Sequence, residues 1–275
     1  MKLLYFILSH AIFIAVCAVA LCFQTSLLLH ITLPVELYAF IFFSTICSYN
    51  FYWLLSGYAF TKQPAVPYLK QRYSNMLVFF VSAGGMFFFA GHIAHLLPVI
   101  GISLLLTLLY AVPLMPLRVF HFTRRAGLLK TFLLAFTWAF VTVYIPYRQA
   151  ISGNILTLVM LFNNRFLFML MLCIIFDARD TKVDKIRGLQ SLTTLVRPAI
   201  IRYIMVGIFT VYIINGILLR VYFHEPMQIP ALIITGLVTA FVYVLSLKKQ
   251  GYFFYYFGVD GLMLFSSLAS YVASI

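Results

Sequence analysis

The sequence predicts an all-α polytopic membrane protein, nine transmembrane helices packed in one bundle. Two observations carry that expectation. Of 275 residues, 64% are hydrophobic and only 9% charged, against about 25% charged in ordinary soluble domains. The cations that remain gather in every second gap between the apolar runs. The first observation excludes a soluble enzyme, a disordered tail and a disulfide-stapled secreted module. The second makes the net charge of +13 a topology signal, so no nucleic-acid partner is expected.

A hydrocarbon core about 30 Å thick takes about 20 apolar helical residues. That ruler places spans at Leu3–Phe23, Val35–Gly57, Met76–Gly91, Leu96–Leu114, Leu128–Pro146, Ile155–Phe176, Tyr203–Phe223, Ile229–Leu247 and Phe253–Ser274. They use most of the chain, so residues 1–275 are expected to form a single membrane domain. With the N-terminus cytoplasmic, the inner segments hold 16 of the 19 lysines and arginines. Arg148 and Arg220 then lie outside, Arg165 falls within the sixth span, and the C-terminus is outside. Lysine and arginine collect on the cytoplasmic side of membrane proteins, which fixes this direction.

The first span follows Lys2 and has a secretory look. Its apolar run of about 21 residues is longer than a signal-peptide core, and no polar cleavage region follows, so it reads as a retained helix. The four cysteines (Cys17, Cys22, Cys47, Cys173) all lie inside apolar runs, which offers neither a disulfide framework nor a metal knuckle. His92 and His95 fall in a turn between the third and fourth spans, where a solvated role is expected. Arg165 and Asp260 are two charges deep in the bilayer, at matching depths in spans six and nine. An unpaired charge there costs at least about 2.5–3.5 kcal/mol, which leaves three arrangements open: a pair between them, Arg165 snorkelling outward, or each facing the cavity.

Six acidic residues are present: Glu36, Asp177, Asp180, Asp184, Glu225 and Asp260. Three of them crowd the inner end of span six. If the helix runs on past the membrane, 100° per residue puts Asp177, Asp180 and Asp184 within an arc of about 60°. Crowded carboxylates repel one another, and a divalent cation removes that penalty. Hard oxygen ligands shared with substrate phosphates are what Mg²⁺ takes. The expectation is a Mg²⁺–diphosphate site at the cytoplasmic surface, against the plainer alternative of a solvated loop neutralised by Arg179, Lys182, Lys185 and Arg187.

These residues resemble a family. Asp180-x-x-x-Asp184, followed by Lys185-Ile186-Arg187-Gly188 and Ser191-Leu192-Thr193, looks like the second aspartate motif of the UbiA-type prenyltransferase superfamily, the 4-hydroxybenzoate polyprenyltransferase-like enzymes. Tyr110 and Pro113, then Arg118, Arg124, Arg125 and Lys130, are similar to that family's Tyr–Pro segment and its basic residues, and Trp138 fits the next helix. The nine helices with a cytoplasmic N-terminus agree in topology. The first motif, N-D-x-x-D-x-x-x-D, departs from the pattern. Its best alignment starts at Asn50, and the three aspartate positions hold Phe51, Leu54 and Tyr58.

The resemblance implies transfer of a prenyl group from a polyprenyl diphosphate to a hydrophobic acceptor, aromatic or lipid, in a bacterial inner membrane. It implies Asp180 and Asp184 as Mg²⁺ ligands and catalytic residues, with Asp177 beside them. Asn50, Tyr110, Arg118 and Lys130 are then the substrate-binding candidates. Electron-rich walls suit a prenyl cation, and Tyr49, Tyr52, Trp53, Tyr110 and Trp138 are placed to supply them. A relative that binds a prenyl lipid without catalysis is the second reading, and a transporter the third. The CDP-alcohol phosphotransferases also use spaced aspartates, but their D-G-x-x-A-R core is absent.

Overall fold

The computed structural model describes residues 2–59, 68, 72–111, 127–150, 155–187, 191–222 and 228–275. Every regular element among them is helical: α1 (Lys2–Ser9), α2 (Ile12–Leu29), α3 (Val35–Ala59), α4 (Tyr73–His92), α5 (Leu97–Ala111), α6 (Gly127–Ala139), α7 (Ile145–Ala150), α8 (Ile155–Arg187), α9 (Leu192–Leu195), α10 (Pro198–Tyr222), α11 (Gln228–Ser246) and α12 (Asp260–Val272). Two π-helical turns interrupt them. Phe140–Tyr144 joins α6 to α7, and Phe254–Val259 leads into α12. Among the described residues, eight helical runs are long and apolar enough to cross a membrane, from Ile12–Leu29 to Ile229–Ser246. The chain is an all-α, multi-pass membrane protein.

Prolines punctuate the helices where a missing N–H costs least. Pro98, Pro198 and Pro230 all sit in first turns, where the amide has no intrahelical partner. Pro146 is the exception, since it follows the π turn inside one continuous helical run. It cannot donate to the carbonyl four residues back, Thr142. That carbonyl accepts instead from Thr25 Oγ1 on α2, at 2.6 Å.

Neighbouring helices pair around a ring. α5 packs on α6, α6 on α8, α8 on α10, α10 on α11, α11 on α12, and α12 returns to α2. α4 leans mainly on α3 and shows Phe80, Phe87 and Phe88 to its surroundings, an apolar face suited to lipid. α8 is the central element, and its Leu167–Ile175 stretch is buried without a break. At 33 residues it rises about 50 Å, more than a bilayer core needs, so it carries Asp177, Asp180 and Asp184 on one uninterrupted helix.

The first expected span, Leu3–Phe23, is corrected. The helix breaks at His10–Ala11, with Ala11 at φ 62°, and the membrane-length run is Ile12–Leu29. A left-handed alanine is unfavourable, and neighbouring groups take up what the break frees. The His10 carbonyl, which a continuing helix would give to Ile14, accepts from Asn50 Nδ2 at 3.0 Å.

Arg165 and Asp260 do not pair. Arg165 Nη2 donates to the Leu21 carbonyl at 3.3 Å, while the Asp260 backbone carbonyl takes Cys17 Sγ at 3.5 Å. Cys17 and Leu21 are one turn apart on α2, about 6 Å along its axis, so α2 holds the two charged residues at different levels. His92 and His95 lie in an exposed turn, where His95 Nε2 shares a hydrogen bond with Gln149 Oε1 at 2.7 Å. The four cysteines are free and buried.

Candidate functional site

The C-terminal ends of α3, α5 and α8 meet the N-terminal end of α6 at one end of the bundle. An aromatic wall comes first. Tyr52 stacks on Tyr110 with ring centroids 5.0 Å apart, and Tyr49 packs edge-on against Trp53 at 5.9 Å and Trp138 at 6.5 Å. Lys130, in the first turn of α6, sets its ammonium 5.6 Å over the Tyr110 ring, with the Tyr52 phenol beside it. The charges of Asp177 and Asp184 reach the same ammonium. The ammonium thus lies over one phenol ring and within electrostatic reach of the α8 carboxylates.

The acids of α8 are held by different partners. Thr131 Oγ1, next to Lys130, donates to Asp177 Oδ2 at 2.5 Å. Asp180 turns outward and receives a fork from Arg179, Nε to Oδ1 at 2.7 Å and Nη2 to Oδ2 at 2.8 Å. The Arg179 guanidinium is itself sandwiched by Phe176, Tyr255 and Tyr256, at 4.9, 5.2 and 4.9 Å. Asp184 is buried. The three lie on one helical face, as 100° steps require.

The segment after the acids folds back on them. Ser191 and Thr194 form a reciprocal capping box at the start of α9, the S-x-x-T variant of a helix-start signal. That cap positions Thr193, whose hydroxyl donates to the Asp177 carbonyl at 2.8 Å and accepts from Thr181 at 2.7 Å. Ser191 and Thr193 thus clip the chain to the acidic turn of α8.

Asn50 is tied into the packing of neighbouring helices. It is fully buried, with Nδ2 donating to the His10 and Ile46 carbonyls and Oδ1 accepting from Asn75 Nδ2 at 3.2 Å. Both amide hydrogens and the oxygen are spent between α1, α3 and α4. Phe51 packs on Phe79, and Tyr58 on Tyr68. Arg118 lies outside the described residues.

Three contributors were hidden in the sequence. Thr131 has no signal beyond its place after Lys130. Arg179 reads as one more inner-loop cation, and Asp260 reads as a candidate partner for Arg165. Among the described residues, buried Asp260 Oδ2 has no hydrogen-bond partner, and the opposite charge that bears on it is that of Arg179.

Among the described residues no three of His, Cys, Asp and Glu gather as a ready-made metal cage. Mg²⁺ needs none, because it binds through one or two carboxylates together with substrate phosphates. The donor set fits such an ion: hard carboxylate oxygens on one helical face, with a lysine opposite. Comparison of the chain with family models, curated proteins and solved structures returned no match.

Proposed function

We propose that this chain is an integral-membrane prenyltransferase of the UbiA type, taking a polyprenyl diphosphate from the cytoplasmic side of a bacterial inner membrane. One observation carries the reading: Asp177, Asp180 and Asp184 share one face of α8, and Lys130 with Tyr52 and Tyr110 stands across from them. The allylic C–O bond breaks, and diphosphate leaves with the electron pair. The prenyl cation then forms a bond to the acceptor, which gives up a proton.

In this reading Asp180 and Asp184 hold the ion, with Asp177 beside them. An ion held by Asp180 and Asp184 would supply positive charge to offset that of the departing diphosphate. Lys130 lies where it can contact the same phosphates, and Arg118 is the second cationic candidate. Tyr49, Tyr52, Tyr110 and Trp138 face the developing cation, an attraction worth about 2 kcal/mol when desolvated. Asn50 then acts at a distance, fixing the α3 end that carries Tyr49, Tyr52 and Trp53. Nine crossings with the N-terminus inside complete the topology. The helical run through Phe254–Val259 and α12 is the ninth, and the distribution of lysine and arginine supports that direction.

A second reading has its own observation. Phe51, Leu54 and Tyr58 occupy the positions where the family carries first-motif aspartates, as expected of a relative that binds a prenyl lipid without transferring it. Thermal unfolding in detergent with farnesyl or geranylgeranyl diphosphate, with and without Mg²⁺, tests the donor site. Ligand at 100 times its Kd adds about 2.7 kcal/mol. A Mg²⁺-dependent rise, lost in Asp180→Ala and Asp184→Ala, is the expected result. No rise with either diphosphate would defeat the donor-binding claim. A rise without product in the presence of aromatic and lipid acceptors would favour the second reading.

A further inference from the structure

A second polar site lies deeper in the bundle, away from the acids of α8. Gln24, Asn164, Arg165, Tyr212 and Ser266 converge from α2, α8, α10 and α12 on a small cleft, with about 10 Å³ open to the centre of a water-sized sphere, whose other walls are leucines and a phenylalanine. Arg165 is only 4% exposed and sits well inside the membrane-length run Ile155–Thr181. Its Nη2 is satisfied by the Leu21 carbonyl. Its Nη1 finds no acceptor on the protein among the described residues.

The polar groups around that nitrogen are directed elsewhere. Tyr212 gives its hydroxyl hydrogen to the Leu232 carbonyl at 2.9 Å. Gln24 Nε2 is committed to α12, at 3.0 Å to both the Ser266 carbonyl and Oγ and 2.7 Å to Ser270 Oγ. Asn164 Nδ2 faces the Tyr212 carbonyl at 3.4 Å. The candidate acid, Asp260, sits at the Cys17 level of α2. Ser266 Oγ accepts from Gln24 and keeps its own hydrogen to give. The cleft therefore presents a cation and a hydroxyl donor, in surroundings where an uncompensated charge is strongly disfavoured.

We propose that Arg165 and Ser266 bind one small monovalent anion as a counter-ion inside the bundle. Size and charge narrow its class. About 10 Å³ of such space is far below the roughly 300–1,000 Å³ of sites for drug-sized ligands, which excludes a prenyl chain. One guanidinium cannot balance a phosphate or diphosphate at low dielectric. The occupant is a halide such as chloride, or a carboxylate about the size of formate. The site stands independently of prenyl transfer, because none of its residues belongs to the acidic face of α8.

The test uses the full chain in detergent, in gluconate buffer, titrated with chloride, bromide or formate at constant ionic strength. Melting temperature and ³⁵Cl linewidth are followed together. A saturable rise of about 2–4 °C is expected, with chloride line broadening reversed by bromide. A rise with formate and none with chloride would identify the carboxylate as the occupant. Ser266→Ala, which keeps the guanidinium, is expected to raise the midpoint several-fold, and Arg165→Gln to abolish the response. Should Arg165→Gln fail to fold, the wild type and Ser266→Ala still decide. Equal melting temperatures in all four salts, with no broadening, would overturn the proposal.

Discussion

The hydroxyl of Thr25 donates to the backbone carbonyl of Thr142 at 2.6 Å, the carbonyl that Pro146 leaves without its helical amide. One side chain on α2 thus completes the backbone of another helix where a π turn and a proline meet. With no water in the hydrocarbon region, an orphaned carbonyl there is costly. Thr25→Val keeps the shape and removes the donor, and is expected to cost about 1–3 kcal/mol. Thr25→Ser is expected to recover most of it. Thermal unfolding of the two variants in one detergent checks this, and equal stability for valine and wild type would refute it.

Asn50 gives a prediction that separates scaffold from ligand contact. Asn50→Leu strands the His10 carbonyl and the Asn75 amide. A loss of about 1–3 kcal/mol or more follows from the unpaired groups. Diphosphate affinity of the folded fraction is expected to stay within a factor of a few. A tenfold weaker Kd in a variant of unchanged melting temperature would instead place Asn50 on the ligand.

Arg165 and Asp260 are expected to act independently. They have different partners, on different turns of α2. In a double-mutant cycle with Arg165→Gln and Asp260→Asn, the stability changes are expected to add within about 0.3–0.5 kcal/mol. A coupling above about 1 kcal/mol would show that the two meet.

Gly236 is fixed by Tyr212. A Cβ there would stand 2.7 Å from Tyr212 Cε1, on a ring that is 1% exposed and tied to the Leu232 carbonyl. Gly236→Ala forces α10 and α11 apart or displaces the ring, at about 1–3 kcal/mol. Adding Tyr212→Leu is expected to restore part of the loss. Gly207, which has nothing within 4 Å, is the control, and its alanine variant is expected to be neutral or slightly stabilising.

Topology has a direct check. With nine crossings and a cytoplasmic N-terminus, alkaline phosphatase fused after Ile275 is expected to be active and a fluorescent protein there dark. The reverse pattern would mean that the helical run ending in α12 fails to cross or that the orientation is inverted.

The fold class was readable because lipid imposes one rule on every residue: apolar runs of fixed length, with cations beyond them. Val35–Gly57 and Ile229–Leu247 lie within a residue or two of the observed helices for that reason. The break at His10–Ala11 was not readable, since alanine is a good helix former and the carbonyl it frees is taken by a residue 40 positions away. The crowding of Asp177, Asp180 and Asp184 on one face was readable from helical periodicity. Their partners were not. Thr131 and Arg179 are set by how α6 and the Tyr255–Tyr256 pair pack on α8, which no local pattern encodes.

The two π turns change how this sequence has to be laid beside others. A turn closed over five residues holds one more residue than an α-helical turn, so each acts as a single insertion absorbed inside a helix. Everything beyond Phe140–Tyr144 or Phe254–Val259 is rotated by about 100° relative to an uninterrupted helix of the same length. A gap for either insertion belongs in the middle of a helix, where alignments are usually forbidden to open one. Pushed into the nearest loop, it would put the wrong residue opposite Thr25 and the wrong residue of α12 at the position of Asp260.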